Sequence, residues 1–294
     1  MRSLLVLAVV AVAACAPRLE PRSDASSPAL RVATWNVHDL FDEIDRTESP
    51  GDLDTVLSPS AVEEKLARLG AVLRRVDADV VVLQEVETLA LLERLAAGPL
   101  AGAGYAAHLV DGRDPRGIDV GVLARVPVRR YASHLEDRAP DGTRPWSRDL
   151  VEVHLERAGR EVVLLGAHLV SRLDPADDGR RRLQAAALRG VLDGVRAAGA
   201  TRLVLALGDL NDEAGSQALA PLLADGGLED LGARLAPADA WTWGGGGARE
   251  RIDFALVPRP DGAAITSVAV VGGPDVASAS DHRPVVVDLW LGGG

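Results

Sequence analysis

The run "LVLALGD" (residues 203–209) is apolar without alternation and then closes on an acid; "ADVVVLQE" (residues 78–85) does the same. A strand with one wet face alternates, whereas a strand that does not is covered on both faces. Such strands demand a layered fold, and the covering helices are legible too. In "SPSAVEEKLARLGAVLRRV" Ser58 stands at a cap position, Pro59 suits the first turn, and Val62, Leu66, Leu69, Leu73 and Val76 form one stripe. Thr88 caps a short helix through Ala96, and residues 179–197 form a second long helix with Leu183, Ala187, Val191 and Val195 spaced by four. Further strand signals are "LRVATWNV" and "IDVGVLAR" with "PVRRYASH", the last two read as neighbours. "DLVEVHLERAG" and "REVVLLGAHLV" pair through Ala158-Gly159, and "RIDFALV", "AITSVAVV" and "RPVVVDLWL" follow. Many strands mixed with few helices indicate α/β layers around a mixed sheet, in one domain. The glycine run between Trp243 and Ala248 reads as a mobile loop with Trp241 and Trp243 packed beneath it.

The polar residues sort by strand end. Asn36 ends the first strand, Gln84 and Glu85 the second, His168 falls near the end of "VVLLGAHLV", and Asp209 and Asn211 close "LVLALGD". In two later strands the order reverses: Asp253 opens "RIDFALV", and Ser280, Asp281 and His282 precede "RPVVVDLW". If those two strands run antiparallel to the others, all these groups converge on one edge, where α/β sheets build sites. Asp and Asn are ordinary turn formers, but independent turns would show no such sorting. Two carboxylates ~4 Å apart repel by about 4 kcal/mol at an effective dielectric of ~20. Glu85, Asp209, Asp253 and Asp281 in one cleft would hold several such pairs, against a total stability of ~5–15 kcal/mol. The cluster therefore needs protons, basic partners or a cation. An oxygen-rich donor set without cysteine favours Mg²⁺ or Mn²⁺ over zinc.

The net charge of −11 over 294 residues argues against a protein that coats nucleic acid by bulk electrostatics. It leaves room for an enzyme with a local basic groove or a bound cation. Residues 1–14 have a signal-peptide pattern, with Arg2 before an apolar run of about 12 residues, too short for a bilayer of ~30 Å. Val12-Ala13-Ala14-Cys15 resembles the lipobox of bacterial lipoproteins, and Cys15 is the chain's only cysteine. The expectation is export to the bacterial cell envelope with a lipid on Cys15, or secretion if the anchor is absent. Residues 15–29, rich in Pro and Ser, read as a flexible tether to a domain at residues 30–291.

In order along the chain, "ATWNVHDLFD", "VVVLQEVE", "RGIDVGVLAR", "GAHLVSR", "LGDLND", "RIDFALV" and "SDHRPV" resemble the endonuclease/exonuclease/phosphatase superfamily, and its secreted bacterial nuclease-like members most. The resemblance implies a four-layer α/β sandwich of two packed mixed sheets with the site at one end. It implies that Asn36 and Glu85, with Asp281, organise Mg²⁺ (or Mn²⁺), and that Asp209 orients or deprotonates the attacking water. Asn211 would hold the phosphoryl group, His282 would pair with Asp253 and contact the phosphate or leaving oxygen, and His168 would bind a phosphate oxygen. Arg113 and Arg116 lie within "DGRDPRGID" and Arg172 follows "HLVS"; each is a candidate basic group near the scissile phosphate. His108, His134 and His154 are expected on the sheet or surface, without chemistry. One position departs from the family: relatives carry an acidic metal ligand two residues after the Asn, where this chain has His38 followed by Asp39. The expected function is metal-dependent phosphodiester hydrolysis by a monomer without protein partners, as a nuclease of low sequence specificity acting on DNA or RNA. Two alternatives stay open: the same chemistry on phospholipid head groups or small phosphoesters, and a surface lipoprotein that keeps the fold as a binding module.

Overall fold

The computed structural model describes residues 27–45, 55–173, 175–199 and 202–292; the expected signal segment, Cys15 and the expected tether up to residue 26 lie outside the described residues. β1 (Ala29–Leu40) leads through α1 (Pro59–Val76) to β2 (Val80–Val86), α2 (Leu89–Ala97), β3 (Ala106–His108) and β4 (Asp119–Ala124). β5 (Val128–Ser133), β6 (Val151–Arg157) and β7 (Arg160–His168) precede α3 (Asp178–Ala197) and β8 (Leu203–Asp209). Then come α4 (Ala220–Leu223), β9 (Leu228–Asp230), β10 (Trp243–Gly245), β11 (Ala248–Glu250), β12 (Asp253–Pro258), β13 (Ile265–Val270), α5 (Pro274–Ala279) and β14 (Val285–Trp290).

Two mixed six-stranded sheets result, in the orders β13-β14-β1-β2-β4-β3 and β5-β6-β7-β8-β12-β9. In each, the two central strands are parallel, β1 with β2 and β7 with β8, and the remaining neighbours are antiparallel. A central parallel pair puts two C-termini at one rim, and the antiparallel strands beside it, β14 and β12, begin at that rim. The expected reversal of the last strands is therefore present, once in each sheet.

Packing explains the absence of alternation. Val80 and Val82 point into the core between the sheets with Val120, Val151, Leu164, Leu203 and Leu205. Val81 and Leu83 point the other way, onto the α1 stripe of Val62, Leu66, Leu69, Leu73 and Val76. In the second sheet, Val204 and Ala206 face outward onto Ala185, Leu188 and Leu192 of α3. Helix, sheet, sheet and helix form the expected four-layer sandwich. Ser58 and Thr88 cap α1 and α2, accepting from the amides of Ala61 and Leu91.

Three local expectations are corrected. "IDVGVLAR" and "PVRRYASH" are not neighbours: they are β4 and β5, in different sheets, because the chain crosses the sandwich between them. The face of α3 is rotated from the one expected, with Arg181, Gln184, Ala185, Leu188 and Leu192 buried. Spacing by four alone follows one oblique row, and hydropathy discounts the two polar members. Arg181 is buried on Asp212 at 2.9 Å, and the Gln184 amide bridges Val170 N and the Pro145 carbonyl. The glycine run forms a tight hairpin, β10–β11, turned at Gly246 and Gly247 with φ of 57° and 87°.

One glycine fixes the rim itself. Gly208 in β8 has φ 145°, and a Cβ there would stand 1.9 Å from the Ala167 carbonyl oxygen of β7. Gly208→Ala is expected to cost about 2–4 kcal/mol through strain and overpacking. A lower urea midpoint at unchanged slope would show it, and an unchanged midpoint would refute the packing argument.

Candidate active site

The rim is built on strained backbone. Of the six non-glycine residues with positive φ among the described residues, four are His38, Asp39, Glu85 and Asn211, between 53° and 64°. The register of β1 on β2 shifts between Asn36 and Leu40, and that of β2 on β4 between Gln84 and Val86. Such bulges re-aim side chains, and each strained residue costs about 1–3 kcal/mol. Strand geometry alone would have turned these groups elsewhere.

They turn into a cleft of about 290 Å³ lined by Asn36, Glu85, Asp209, Asn211, Asp281 and His282, with Arg116 and Arg172 at its edge. At its floor lies Asp209, 1% exposed. Asn36 Nδ2 donates to Asp209 Oδ2 at 2.9 Å and to Glu85 Oε1 at 3.1 Å, so one amide ties the two sheets together. The Nε2 atoms of His168 and His282 lie 3.6 and 3.8 Å from Asp209 Oδ2. His282 Nδ1 binds Asp253 Oδ2 at 2.8 Å. Asn211 donates its backbone N–H to Asp209 Oδ1 at 2.8 Å and its side-chain amide to the Leu169 carbonyl.

Charge follows from burial and neighbours. Burial alone would push the His282 imidazole down, but the charge of Asp253 and its hydrogen bond, with Asp209 and Asp281 behind, hold it up at about 10. His282 is thus an imidazolium at neutral pH. Burial and then the charge of Asp253 push Asp209 up to about 7, against the pull of His282. Burial, helped by Arg148, His282 and Arg116, drives His168 well below its ordinary value, so it stays neutral. Burial works against ionisation of Asp281, yet the His38 hydrogen bond and the charge of His282 take it down to about 2.

Trp35 and Thr242 were not singled out in the sequence, and Ser280 and Trp243 were named there without a positioning role. Ser280 Oγ donates to the Asn36 carbonyl at 2.8 Å and accepts from His282 N at 3.0 Å, which is why a serine precedes Asp281-His282. Trp35 Nε1 donates to the His282 carbonyl at 3.0 Å. Thr242 Oγ1 accepts from the amides of Ile252 and Asp253, and Trp243 Nε1 donates to Asp281 Oδ2 at 2.9 Å. Trp243 does pack on the glycine hairpin, meeting Gly245, but it also anchors Asp281. Asp39 joins the cleft as well, its N–H on Glu85 Oε2 at 2.9 Å. No periodicity announces it, because a positive φ places it.

The expected arginines separate. Arg116 reaches Asp39 at 3.3 Å and Glu85 at 3.9 Å, and Arg172 pairs with Glu250 at the cleft edge. Arg113 does not line the cleft: it binds the Leu135 carbonyl and Glu136 instead. His108 stacks on Tyr131, while His134 and His154 are tied to Glu152.

Two groupings could hold a cation. Among the described residues, Asp209, Asp253 and His282 bring one ligand atom each within 4.8 Å of the others. There the His282 Nδ1–Asp253 bond and the raised imidazole already supply a positive charge. Asn36, Asp39, Glu85 and Asp281 line the cleft as an all-oxygen set. Burial and the Glu85 charge push the Asp39 carboxyl up to about 6, the repulsion that a divalent ion relieves. Hard oxygen donors fit such an ion. His38 Nδ1 meets Asp281 Oδ1 at 3.0 Å, and that hydrogen bond raises the imidazole above its ordinary value.

Residues 33–282 match the family described as Endonuclease/Exonuclease/phosphatase family. No curated protein sequence matches the chain. Among solved structures, D. rerio TDP2 complexed with single-strand DNA product is 20% identical with a TM-score of 0.62, covering 88% of this chain and 98% of that one. A Beutenbergia cavernae endonuclease/exonuclease/phosphatase is 24% identical with a TM-score of 0.63, covering 90% of this chain and 72% of that one. The human Nocturnin catalytic domain with bound sulfate is 18% identical with a TM-score of 0.64, covering 89% of this chain and 94% of that one.

Replacing Asp253 tests the electrostatics. Asp253→Asn removes the leading charge that raises His282, so the imidazole should titrate about 1–3 units lower by NMR. A folded pKa near 10 lies above the unfolded value of about 6.5, so the stability from this pair is full below pH ~6.5 and is lost as pH rises through about 10. The stability of Asp253→Asn should lack that alkaline decline; the same decline in both proteins would contradict the assignment.

Proposed function

Because the chain belongs to the endonuclease/exonuclease/phosphatase family and is with it a hydrolase of phosphoester bonds, we propose that its substrates are phosphodiesters and that it works as a nuclease of low sequence specificity. The observation that carries this reading is the Asp209 carboxylate, held by Asn36 at 2.9 Å between a neutral His168 and a protonated His282. An acid raised to about 7 by burial is basic enough to take a proton from water at neutral pH, a role that contributes ~10²–10⁴-fold. The His282 imidazolium, backed by Asp253, faces the charge that develops on the phosphoryl or leaving oxygen. Neutral His168 lies behind the cleft wall with Nε2 3.6 Å from Asp209, where an N–H would serve a phosphate oxygen brought to that carboxylate, and Asn211 lines the cleft itself. Arg116 and Arg172 supply positive charge at the edge.

Asn36, Glu85 and Asp281, with Asp39 beside them, would hold a divalent ion, Mg²⁺ or Mn²⁺. Bound there, it supplies charge neutralisation to the phosphoryl group. Substrate choice follows from charge and from a likeness in fold. The D. rerio TDP2 structure was solved with a single-strand DNA product, and the cleft of this chain is an open groove with arginines at its rim. The leader pattern of residues 1–14 followed by Cys15 supports a reading in which the enzyme is exported and tethered through a lipid on Cys15.

Asp209→Asn and His282→Ala should each lower the rate of single-strand DNA and RNA cleavage by ~10²–10⁴-fold, and a chelator should abolish cleavage until Mg²⁺ or Mn²⁺ is restored. A panel that adds sphingomyelin and inositol phosphates decides the substrate: preference for those would replace the nuclease reading, and no metal-dependent turnover of any of them would leave a binding module. Cys15→Ser should move the protein from the membrane fraction to the soluble exported fraction, while a chain that stays with the membrane would refute the anchor.

A further inference from the structure

Beside the cleft lies a second hollow of about 420 Å³ that shares His38, Asp281 and His282 with it. Its other wall carries Lys65, Trp241 and Arg283. The Arg283 guanidinium carbon lies 3.1 Å from the centroid of the Trp241 ring, and that of Arg249 lies 4.8 Å from it. These cations differ in partner from many of the chain's arginines, although among the described residues Arg74 and Arg182 likewise bond only carbonyls. Arg94, Arg125, Arg148 and Arg181 each meet a carboxylate. Among the described residues, Arg249 and Arg283 form no ion pair; Asp239 acts on Arg283 only from a distance, and the two arginines repel each other. Lys65, the only lysine, directs its ammonium to the carbonyls of His38 and Ala279, at 2.8 and 2.7 Å.

Lys65 and Arg283 line the hollow, and Arg249 lies on the Trp241 ring beside it, so positive charge gathers here in a chain of net charge −11. The carboxylates of Asp39, Glu85 and Asp281 act on Lys65, but Arg249 and Arg283 repel each other with no carboxylate of the described residues in contact, and an anionic ligand would relieve that repulsion. The indole adds a requirement. A guanidinium stacked on Trp241 presents a flat, charged surface of the kind on which nucleobases stack regardless of sequence. The ligand must therefore be anionic, carry planar rings, and continue into the cleft through the shared wall of His38, Asp281 and His282. A base inside a duplex cannot enter such a hollow, whereas an unpaired one can.

We infer that this hollow binds the nucleotide adjoining the scissile phosphate of a single-stranded nucleic acid, with Lys65 and Arg283 toward its phosphate and the Trp241–Arg283 stack toward its base. The inference rests on the phosphodiesterase reading for what occupies the neighbouring cleft. It assigns to the chain a preference for unpaired strands.

The test measures binding apart from turnover, using the Asp209→Asn chain and a short fluorescein-labelled single-stranded oligonucleotide in an anisotropy titration. Adding Arg249→Ala and Arg283→Ala together should raise Kd about tenfold and flatten the slope of log K against log salt by about 0.7 for each phosphate that is no longer neutralised. Arg249 is exposed, so Arg249→Ala alone keeps the fold and should raise Kd about threefold. In the otherwise unaltered chain, the double variant should lose about tenfold more kcat/KM on the oligonucleotide than on bis(p-nitrophenyl) phosphate, which is too small to span both hollows. Equal losses on the two substrates, an unchanged Kd, or an effect confined to phosphatidylglycerol vesicles would overturn the inference. If the unaltered chain cleaves no phosphodiester while oligonucleotide binding still falls in the variants, the reading of the cleft fails and this site stands.

Discussion

The hydrogen bond from Asn36 to Asp209 joins one sheet of the sandwich to the other at their common rim, and the candidate site is arranged around it. Asn36 sits on β1 and Asp209 on β8, each in a central parallel pair. A 2.9 Å contact between them requires the two sheets to be packed face to face with their C-terminal edges aligned. The core between the sheets supplies that alignment: Val32, Val82, Val120, Leu164 and Leu205 are essentially without exposure. A donor amide is suited to this position because it neutralises neither carboxylate outright, yet holds both Glu85 and Asp209 in place.

Around that bond the structure separates charge by side. Glu85, Asp39 and Asp281 form the acidic half of the cleft, with Arg116 and His38 beside them. On the other side, Asp209, Asp253, His168 and His282 form a buried acid–imidazole set in which one histidine is neutral and the other protonated. The two imidazoles differ because Asp253 hydrogen-bonds one of them, while the other has Arg148 and Arg116 nearby and no partner on Nδ1. One residue type thus provides two different proton donors within a few ångströms of one carboxylate.

The hairpin β10–β11 links this chemistry to the second hollow. Its Trp243 pairs with His282 through an isolated bridge, Gly244 N donates to the Asp281 carbonyl, and Thr242 braces Asp253. Trp241, at its base, carries the two arginines. Two glycines with positive φ allow the tight turn, so the segment that looked like slack in the sequence is a brace. Turn glycines and loop glycines have the same composition, and the distinction lies in the pairing of the flanking residues.

Much was legible because burial leaves a linear record. Non-alternating strands, the α1 stripe and the sorting of Asn36, Glu85, Asp209, Asp253 and His282 by strand end are all consequences of local periodicity, which the sequence states outright. The rest depends on contacts that have no periodicity. Which sheet β5 joins, the polar buried face of α3 with Arg181 and Gln184, the positive-φ turn that brings Asp39 into the cleft and the diversion of Arg113 to Glu136 were decided by partners far away along the chain. Sequence alone determined the layers and the list of reactive groups, since hydrophobic burial acts residue by residue. Tertiary structure alone decided which of those groups touch and which of them are charged, since both depend on distances across two sheets.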